Sequence, residues 1–377
     1  LNIQMYATCP DELTGLLAKE IEAIGGQEIR IDYRVVYFSA TKEVAYMAHL
    51  ALRTAGRICR VLKDIPAHSP RIVFDKARKI RFHELFDPRA PVSIHVFSAN
   101  DGGAISNDLI GSKLREAITD CFEHHLKTTP NKSSWQAAIG VSGFYHRKRL
   151  LVSMDTSGES LHRRGFRAEG HPAPLKETLA AALLAFCGYD GSVPFYDPMC
   201  GSGTLAVEAA QIALNRAPLI HRKRRGFGLE HLLDFDARLW QRTRQQLQAA
   251  ERKNPVSVFA SDISGPYVEV ARQTVKNARL SDVIKIDKKD FFKSKKPAAN
   301  GLMIANIPYG MRLDEKKIDK AFLRAIGDQL KQQYAGWRCG ILAPVSAPLK
   351  EIGLKPQKQA TFLNGTIPVK LLVFDIY

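Results

Sequence analysis

Four short stretches in the second half of this chain carry residue types able to hold a nucleotide-like ligand. Tyr196-Asp197-Pro198-Met199-Cys200-Gly201-Ser202-Gly203-Thr204 runs from an expected strand into an expected helix. Gly201 and Gly203 permit positive φ and close approach of backbone to a ligand, and Thr204 is placed to cap the helix. Open α/β sheets bind ligands outside the carboxyl ends of their strands, where this turn falls. A Gly-x-Gly turn fits any nucleotide fold. Ala206 stands where a dinucleotide fingerprint has its third Gly, and no Gly-Lys-Ser/Thr follows as in a P-loop. Ser261-Asp262-Ile263 follows the apolar run Val256 to Ala260; a carboxylate there can accept both hydroxyls of a ribose, or equally cap a helix. Asp290-Phe291, after Val283 to Ile286, can accept a hydrogen bond from an adenine amine and lay a ring against the base, although Asp after a strand is commonplace. Asn306-Ile307-Pro308-Tyr309-Gly310 follows the apolar run Leu302 to Ala305 and, taken alone, reads as a Pro-Tyr-Gly turn.

The elements that must position these residues alternate in type. A helix is expected over Lys176 to Phe186, a strand at Phe195-Tyr196, and a helix over Thr204 to Leu214. Strands at Val256 to Ala260, Val283 to Ile286, Leu302 to Ala305 and Gly340 to Ala343 then interleave with helical stretches. That order argues for a Rossmann-like α/β fold, a doubly wound and mostly parallel sheet. A basic insertion, Asn215 to Asn254, separates the first turn from Asp262 by more than the roughly 20 residues of a dinucleotide fold.

The first half reads as α+β. Ile3 to Thr8 is an expected strand, and Asp11 to Ile24 a helix with Leu13, Leu16, Leu17, Ile21 and Ile24 on one face. Val35 to Ser39 and a helix from Lys42 to Ala55 complete a small βαββα-like unit. A second unit follows: a helix over Phe74 to Ile80, a strand over Val92 to Phe97, a long helix from Asn107 to His125, and β segments over Ala137 to Tyr145 and Arg149 to Asp155. Gly158 to Pro174, rich in Gly, Pro, His and Arg, has the composition of a linker or docking segment.

Composition narrows the functional classes. The 377 residues carry 55 Lys and Arg against 38 Asp and Glu, a formal charge of +17, with 45% apolar residues. Such a balance supports an ordinary globular core, and the charge favours a polyanionic partner bound through its phosphates. Basic clusters occur at Arg71 to Arg81, Arg147-Lys148-Arg149, Arg163-Arg164 with Arg167, and Arg222-Lys223-Arg224-Arg225. Each alone is an ordinary solvated face; together they look like a track. No run approaches the roughly 20 apolar residues that span a bilayer. No secretory signal is visible at Leu1 to Met5, and because the first residue is not Met, a few preceding residues are expected. Six cysteines without a Cys-x-x-Cys pair fit a reduced, cytoplasmic protein, and His124-His125 lie side by side rather than at ligand spacing, so no metal is expected.

Taken in order, the four stretches resemble the class I S-adenosylmethionine-dependent methyltransferases, with Asn306 to Tyr309 similar to their Asn-Pro-Pro-Tyr amino-methylating motif. An exocyclic base amine is a poor nucleophile because its lone pair is delocalised into the ring. The Asn306 side-chain oxygen and the Ile307 carbonyl would orient that lone pair and stabilise the positive charge that develops, while Tyr309 would stack on the base. Ile307 departs from the pattern, which has Pro there; only its backbone carbonyl is required, and Pro308 still biases it toward extended backbone. No covalent Cys is needed, and Cys200 is expected to be a small loop residue.

A longer resemblance covers nearly the whole chain. Gly158 to Arg167, Ala173 to Ala181 and Asn215-Arg216-Ala217-Pro218 are similar to the bacterial THUMP-domain RNA methyltransferases, and within these to those methylating guanine N2 in 23S rRNA. The resemblance implies a ferredoxin-like segment over 1–65, a THUMP RNA-binding domain over 66–157, a hinge over 158–175 and one methyltransferase domain over 176–377, the length leaving no room for a second. It implies a cofactor site of Thr178, Asp197, Met199, Cys200, Gly201, Gly203, Thr204, Asp262, Ile263, Asp290, Phe291 and Asn306, with Asn306 to Tyr309 catalytic. Arg163, Arg164 and Arg167 are candidates for RNA phosphate or for salt bridges between domains; Arg222, Lys223, Arg224 and Arg225 are the better candidates for guiding RNA. Three other functions compete: guanine-N2 methylation of tRNA, adenine-N6 methylation of nucleic acid, and an RNA-binding protein whose catalytic site has decayed.

Overall fold

The computed structural model describes residues 2–98, 105–131, 139–170, 175–222, 226–308 and 318–377. They form two units, residues 1–161 with 223–245, and residues 162–222 with 246–377.

The first unit is built on one seven-stranded sheet. Its strands are β1 (Ile3–Thr8), β2 (Gln27–Asp32), β3 (Val35–Ala40), β4 (Arg57–Pro66), β5 (Val92–Ser98), β6 (Ile139–His146) and β7 (Arg149–Asp155), in the order β2-β3-β1-β4-β7-β6-β5. The ferredoxin-like and THUMP segments expected from sequence therefore share a sheet, joined where β4 pairs antiparallel with β7. Alternation sets one face inward: Met5 and Ala7 on β1, Val36 and Phe38 on β3, and Val141 and Tyr145 on β6 are buried. The helices α1 (Thr14–Ala23), α2 (Lys42–Ala51), α3 (Pro70–Ala77) and α4 (Asn107–Leu126) supply the apolar partners. Thr41, Ser69 and Ser106 each accept a first-turn backbone N–H, and the Ser69 cap with Pro70 starts α3 four residues before the expected Phe74.

Part of the basic insertion belongs to this unit as well. The Arg60 guanidinium pairs with the Asp234 carboxylate at 2.8 Å, and Lys42 Nζ donates to the Asp234 carbonyl at 2.6 Å. Tyr46 Oη accepts the Asp236 N–H, and its ring meets Trp240 edge-on at 5.5 Å. Asp234, Asp236 and Trp240 thus tie part of this stretch into the unit. The helix α7 (Ala237–Ala249) carries the chain onward.

The second unit confirms the doubly wound expectation and extends it. Its strands are β8 (Phe195–Asp197), β9 (Val258–Asp262), β10 (Ile284–Lys288), β11 (Gly301–Asn306), β12 (Trp337–Pro344), β13 (Lys358–Asn364) and β14 (Ile367–Asp375), in the order β10-β9-β8-β11-β12-β14-β13. The first five run parallel; β14 is antiparallel to β12, and β13 to β14. The helices are α5 (Glu177–Phe186), α6 (Thr204–Ala213), α8 (Gly265–Asn277) and α9 (Lys320–Gln333). Strand order reverses between β8 and β11, so the crevice at their carboxyl ends is the topological switch point. Among the described residues, no helix is long and apolar enough to cross a membrane.

Candidate active site

The switch-point turn is tied to its neighbouring strand before any ligand is considered. Cys200 N–H donates to the Ser261 carbonyl at 2.9 Å, and the Tyr196 and Ser261 hydroxyls lie 2.7 Å apart. Gly201 N–H donates to Asp262 Oδ2 and Ser264 N–H to Asp262 Oδ1, each at 2.9 Å. One carboxylate thus joins the ends of β8 and β9. Two lone-pair positions are left over, which suits a pair of ribose hydroxyls. Asp262 is not the helix cap, because Ser264 holds that position on α8. Ile263 beside it is 66% exposed, a large apolar side chain left in water at a strand end.

Gly201 and Gly203 have φ of 50° and 80°, as the turn requires. A Cβ on Gly203 would also meet the Ala271 Cβ at 3.3 Å and its Cα at 3.4 Å. Thr204 does not cap α6 as expected: Gly203 is the cap residue and makes no side-chain bond, while the Thr204 hydroxyl lies 3.2 Å from that of Ser202.

A cleft opens here, walled by Asp197, Met199, Cys200, Thr204 and Asn306, all expected from sequence. Leu175, Ser202 and Leu205 also line it and were not anticipated. The signal for Ser202 and Leu205 was present, since one lies within the Gly-x-Gly turn and the other just after it; Leu175 lies in the Ala173 to Ala181 stretch, of which only Thr178 was assigned to the cofactor. Thr178 is buried on α5, outside that lining. Burial pushes the Cys200 thiol well above its ordinary range, with Asp197 and Asp262 adding to the effect, so it is no thiolate nucleophile.

Asn306 ends β11, a strand buried along its whole length. Its side chain is 5% exposed, and Oδ1 has no hydrogen-bond partner among the described residues. Ile307 donates its N–H to the Leu342 carbonyl at 3.2 Å, and its side chain is fully buried in the core with Leu323 and Ile326. Pro308 is half-buried; Tyr309 lies outside the described residues. Asp290 Oδ1 accepts the Phe292 N–H at 3.0 Å. The expectation that Phe291 lies against a base is corrected: its ring is 4% exposed and stacks on Tyr334 within the core, 6.0 Å between centroids. Phe292, 37% exposed, is the aromatic side chain left at the surface there.

The basic residues need larger corrections. Arg164 and Glu208 form an ion pair at 3.3 Å with both side chains fully buried, so Arg164 is a structural cation and not a phosphate ligand. Arg167 pairs with Glu177 at 2.8 Å and donates to the Leu175 carbonyl at 2.9 Å. Both pairs lie within the second unit, not between domains. Arg222 is 6% exposed and out of reach of a passing phosphate. Arg163 is exposed, and Lys223, Arg224 and Arg225 lie outside the described residues. Among the described residues, His83, Cys121 and His125 of the first unit form one group of potential metal ligands, whose spacing matches neither Cys-x-x-Cys nor His-Glu-x-x-His. Cys121 and His125 are four residues apart on α4, the spacing that brings two side chains to one helix face.

Residues 164–372, more than half of the chain, match the family described as UPF0020: RMKL-like, methyltransferase domain. The chain belongs to that family. Residues 4–59 match the RlmL ferredoxin-like domain. A "Ribosomal RNA large subunit methyltransferase K/L" of Cellvibrio japonicus is 32% identical over 99% of this chain and 51% of that protein. The chain thus spans about half the length of such relatives. A Synechocystis protein named "Putative RNA methyltransferase slr0064" is 30% identical over 99% of this chain and 96% of its own length. The solved structure of SMU.472, described as "a putative methyltransferase complexed with SAH", superposes with a TM-score of 0.89 at 25% identity, covering 100% of this chain and 98% of that one.

Two stability predictions follow for this RMKL-like methyltransferase domain. Arg164→Ala strands the Glu208 carboxylate in the interior and should destabilise the domain by roughly 3–5 kcal/mol in urea unfolding, whereas Arg164→Met with Glu208→Leu should cost less. Burial raises the Glu177 carboxyl to about 7 against the pull of Arg167. The native state therefore holds a proton that the unfolded chain releases between the ordinary carboxyl range and about pH 7, so stability falls as pH rises through that window. Glu177→Gln should flatten that slope, which reaches at most about 1.4 kcal/mol per pH unit; an unchanged profile between pH 5 and 7.5 would place the titration elsewhere.

Proposed function

We propose that this chain transfers a methyl group from S-adenosylmethionine to the exocyclic N2 amine of a guanine in RNA, with 23S rRNA as the substrate. The observation that carries this reading is Asn306 Oδ1 at the end of β11, without a hydrogen-bond partner among the described residues and in a cleft it shares with Asp197 and Thr204. Buried polar atoms are almost always satisfied, so an orphan acceptor in a cleft marks the place of a donor from outside the chain.

The residues fit the cofactor. The Gly201–Gly203 turn brings backbone to the cleft, Asp262 has acceptor capacity for ribose hydroxyls, and exposed Ile263 offers apolar contact to a base. Asp197, buried on the cleft wall, suits an ammonium group. When bound, S-adenosylmethionine supplies an electrophilic methyl group on a positively charged sulfur. Asn306 Oδ1 accepts an N–H of the target amine, fixes the direction of its lone pair and faces the positive charge that grows on nitrogen. The Ile307 carbonyl is the second acceptor of the pair, and Tyr309 stacks on the base. Most of the rate then comes from alignment. The names of the relatives favour ribosomal RNA over tRNA or DNA, and such a substrate places the work in the cytoplasm. Residues 66–157 deliver the RNA, with Arg163 and the Lys223 to Arg225 run as phosphate contacts.

The test is incubation with labelled S-adenosylmethionine and, in parallel, unmodified 23S rRNA, tRNA or genomic DNA, followed by digestion to nucleosides. N2-methylguanosine from 23S rRNA is the expected product; N6-methyladenine from DNA would overturn the reading. Asn306→Ala should lower kcat by about 100- to 1,000-fold while leaving cofactor affinity by calorimetry nearly unchanged. An equal loss in both would make Asn306 a cofactor ligand instead.

A further inference from the structure

The first unit carries an exposed aromatic pair that its own folding does not require. The strands β5 and β6 run parallel in a register that sets Phe97 directly opposite Phe144. Alternation sends Val92, Ile94 and Val96 of β5, and Val141 and Tyr145 of β6, toward the core. The same alternation sends Phe97 and Phe144 to the other face, where they are 60% and 42% exposed. Single exposed apolar residues are ordinary, but two phenyl rings in register on neighbouring strands make a surface. His95 is exposed two residues before Phe97, and the His146 ring lies 6.3 Å from that of Phe144 with only 26° between planes.

The hairpin that follows gives the surface its charge. The exposed turn residues Arg147 and Lys148 join β6 to β7, both in the left-handed region with φ of 46° and 58°. A two-residue hairpin turn with both central residues at positive φ normally takes Asn and Gly, because a Cβ is disfavoured there. Two long cations hold these positions against backbone preference, and Arg149 follows them, exposed and paired with Asp64 at 2.9 Å.

We propose that this sheet face binds an unpaired stretch of RNA, one base stacked on Phe97 and the next on Phe144, with the backbone passing toward Arg147 and Lys148. The proposal rests on the reading that the chain acts on RNA. Flat apolar rings beside exposed cations are the chemistry of single-strand recognition, since every base has a π-face and every linkage a negative charge. Duplex RNA hides its base faces and gains only from the cations. A protein partner fits less well, because the apolar area is two side chains wide and its rim is basic.

The experiment uses the full chain, a fluorescently labelled single-stranded oligouridylate and a duplex of equal length, followed by anisotropy. Phe97→Ala with Phe144→Ala should weaken single-strand binding by at least about 10-fold, from the loss of stacking. Duplex binding and S-adenosylmethionine affinity should stay as they were. Phe97→Trp should keep the affinity, and its indole fluorescence should be quenched on binding the single strand, which also guards against a misfolded alanine variant. Equal weakening for single strand and duplex, no weakening, or no quenching would each overturn the platform. Its fate is separable from that of methyl transfer. Unchanged oligonucleotide binding with intact production of N2-methylguanosine removes only the platform, and Phe-dependent binding without methylation removes only the catalytic reading.

Discussion

The Asp262 carboxylate is the constraint on which the switch-point cleft depends. With Oδ2 on the Gly201 N–H and Oδ1 on the Ser264 N–H, it fixes the end of β8 against the start of α8. Both glycines of the turn between β8 and α6 sit at positive φ with no side chain to pack, so its shape rests on bonds such as these and that from the Cys200 N–H to the Ser261 carbonyl. Charge-assisted hydrogen bonds from backbone N–H groups are the strong kind, and two of them cost no side-chain ordering on the donor side. The same carboxylate then has lone pairs to spare for a ligand. The structural duty and the ribose contact proposed above fall to one residue, and loss of Asp262 would loosen the turn.

Behind that turn lies a second layer of charge, and it explains the basic motif better than RNA does. The run Arg163 to Arg167 looks like a phosphate-binding strap in sequence. In the fold it is stitched to three helices: Arg164 to Glu208 on α6, Arg167 to Glu177 on α5, and the Phe166 carbonyl to Asn277 on α8. Buried ion pairs of this kind seldom add net stability over apolar replacements. What they do supply is a fixed register, since Arg167 also holds the carbonyl of Leu175, whose side chain walls the cleft. A positive residue count therefore overstates the charge available to a polyanion.

The parts of the site legible in sequence were those whose chemistry is local. The glycine turn, Asp262 at a strand end and Asn306 at the next switch are set by strand–turn–helix order, and the fold places them as that order implies. Tertiary partners were not legible. Whether Phe291 or Phe292 faces inward depends on the packing of Tyr334, about 40 residues on. The membership of residues 226–245 in the first unit depends on partners such as Arg60 and Tyr46, remote in sequence. With Asn364 opposite Ile367, the two-residue turn from β13 into β14 is Gly365-Thr366, and Gly365 takes the positive φ of 67° that a glycine-first hairpin turn needs.

Ile307 tests how much of the amino-methylating pattern is chemistry and how much is packing. Its side chain is fully buried in the core and its N–H is bonded to β12, so the residue type answers to the interior of the sheet. Asn306 is different. It is the one polar side chain on β11, the strand Gly301–Asn306, which is otherwise apolar and buried throughout. Leaving its amide oxygen without a donor costs about 1–3 kcal/mol that an Ala or Val at the same position would avoid. A strand this well packed would fold more readily without that atom, and a cost of this size kept at the mouth of a cleft is what a binding contact to an incoming N–H would offset.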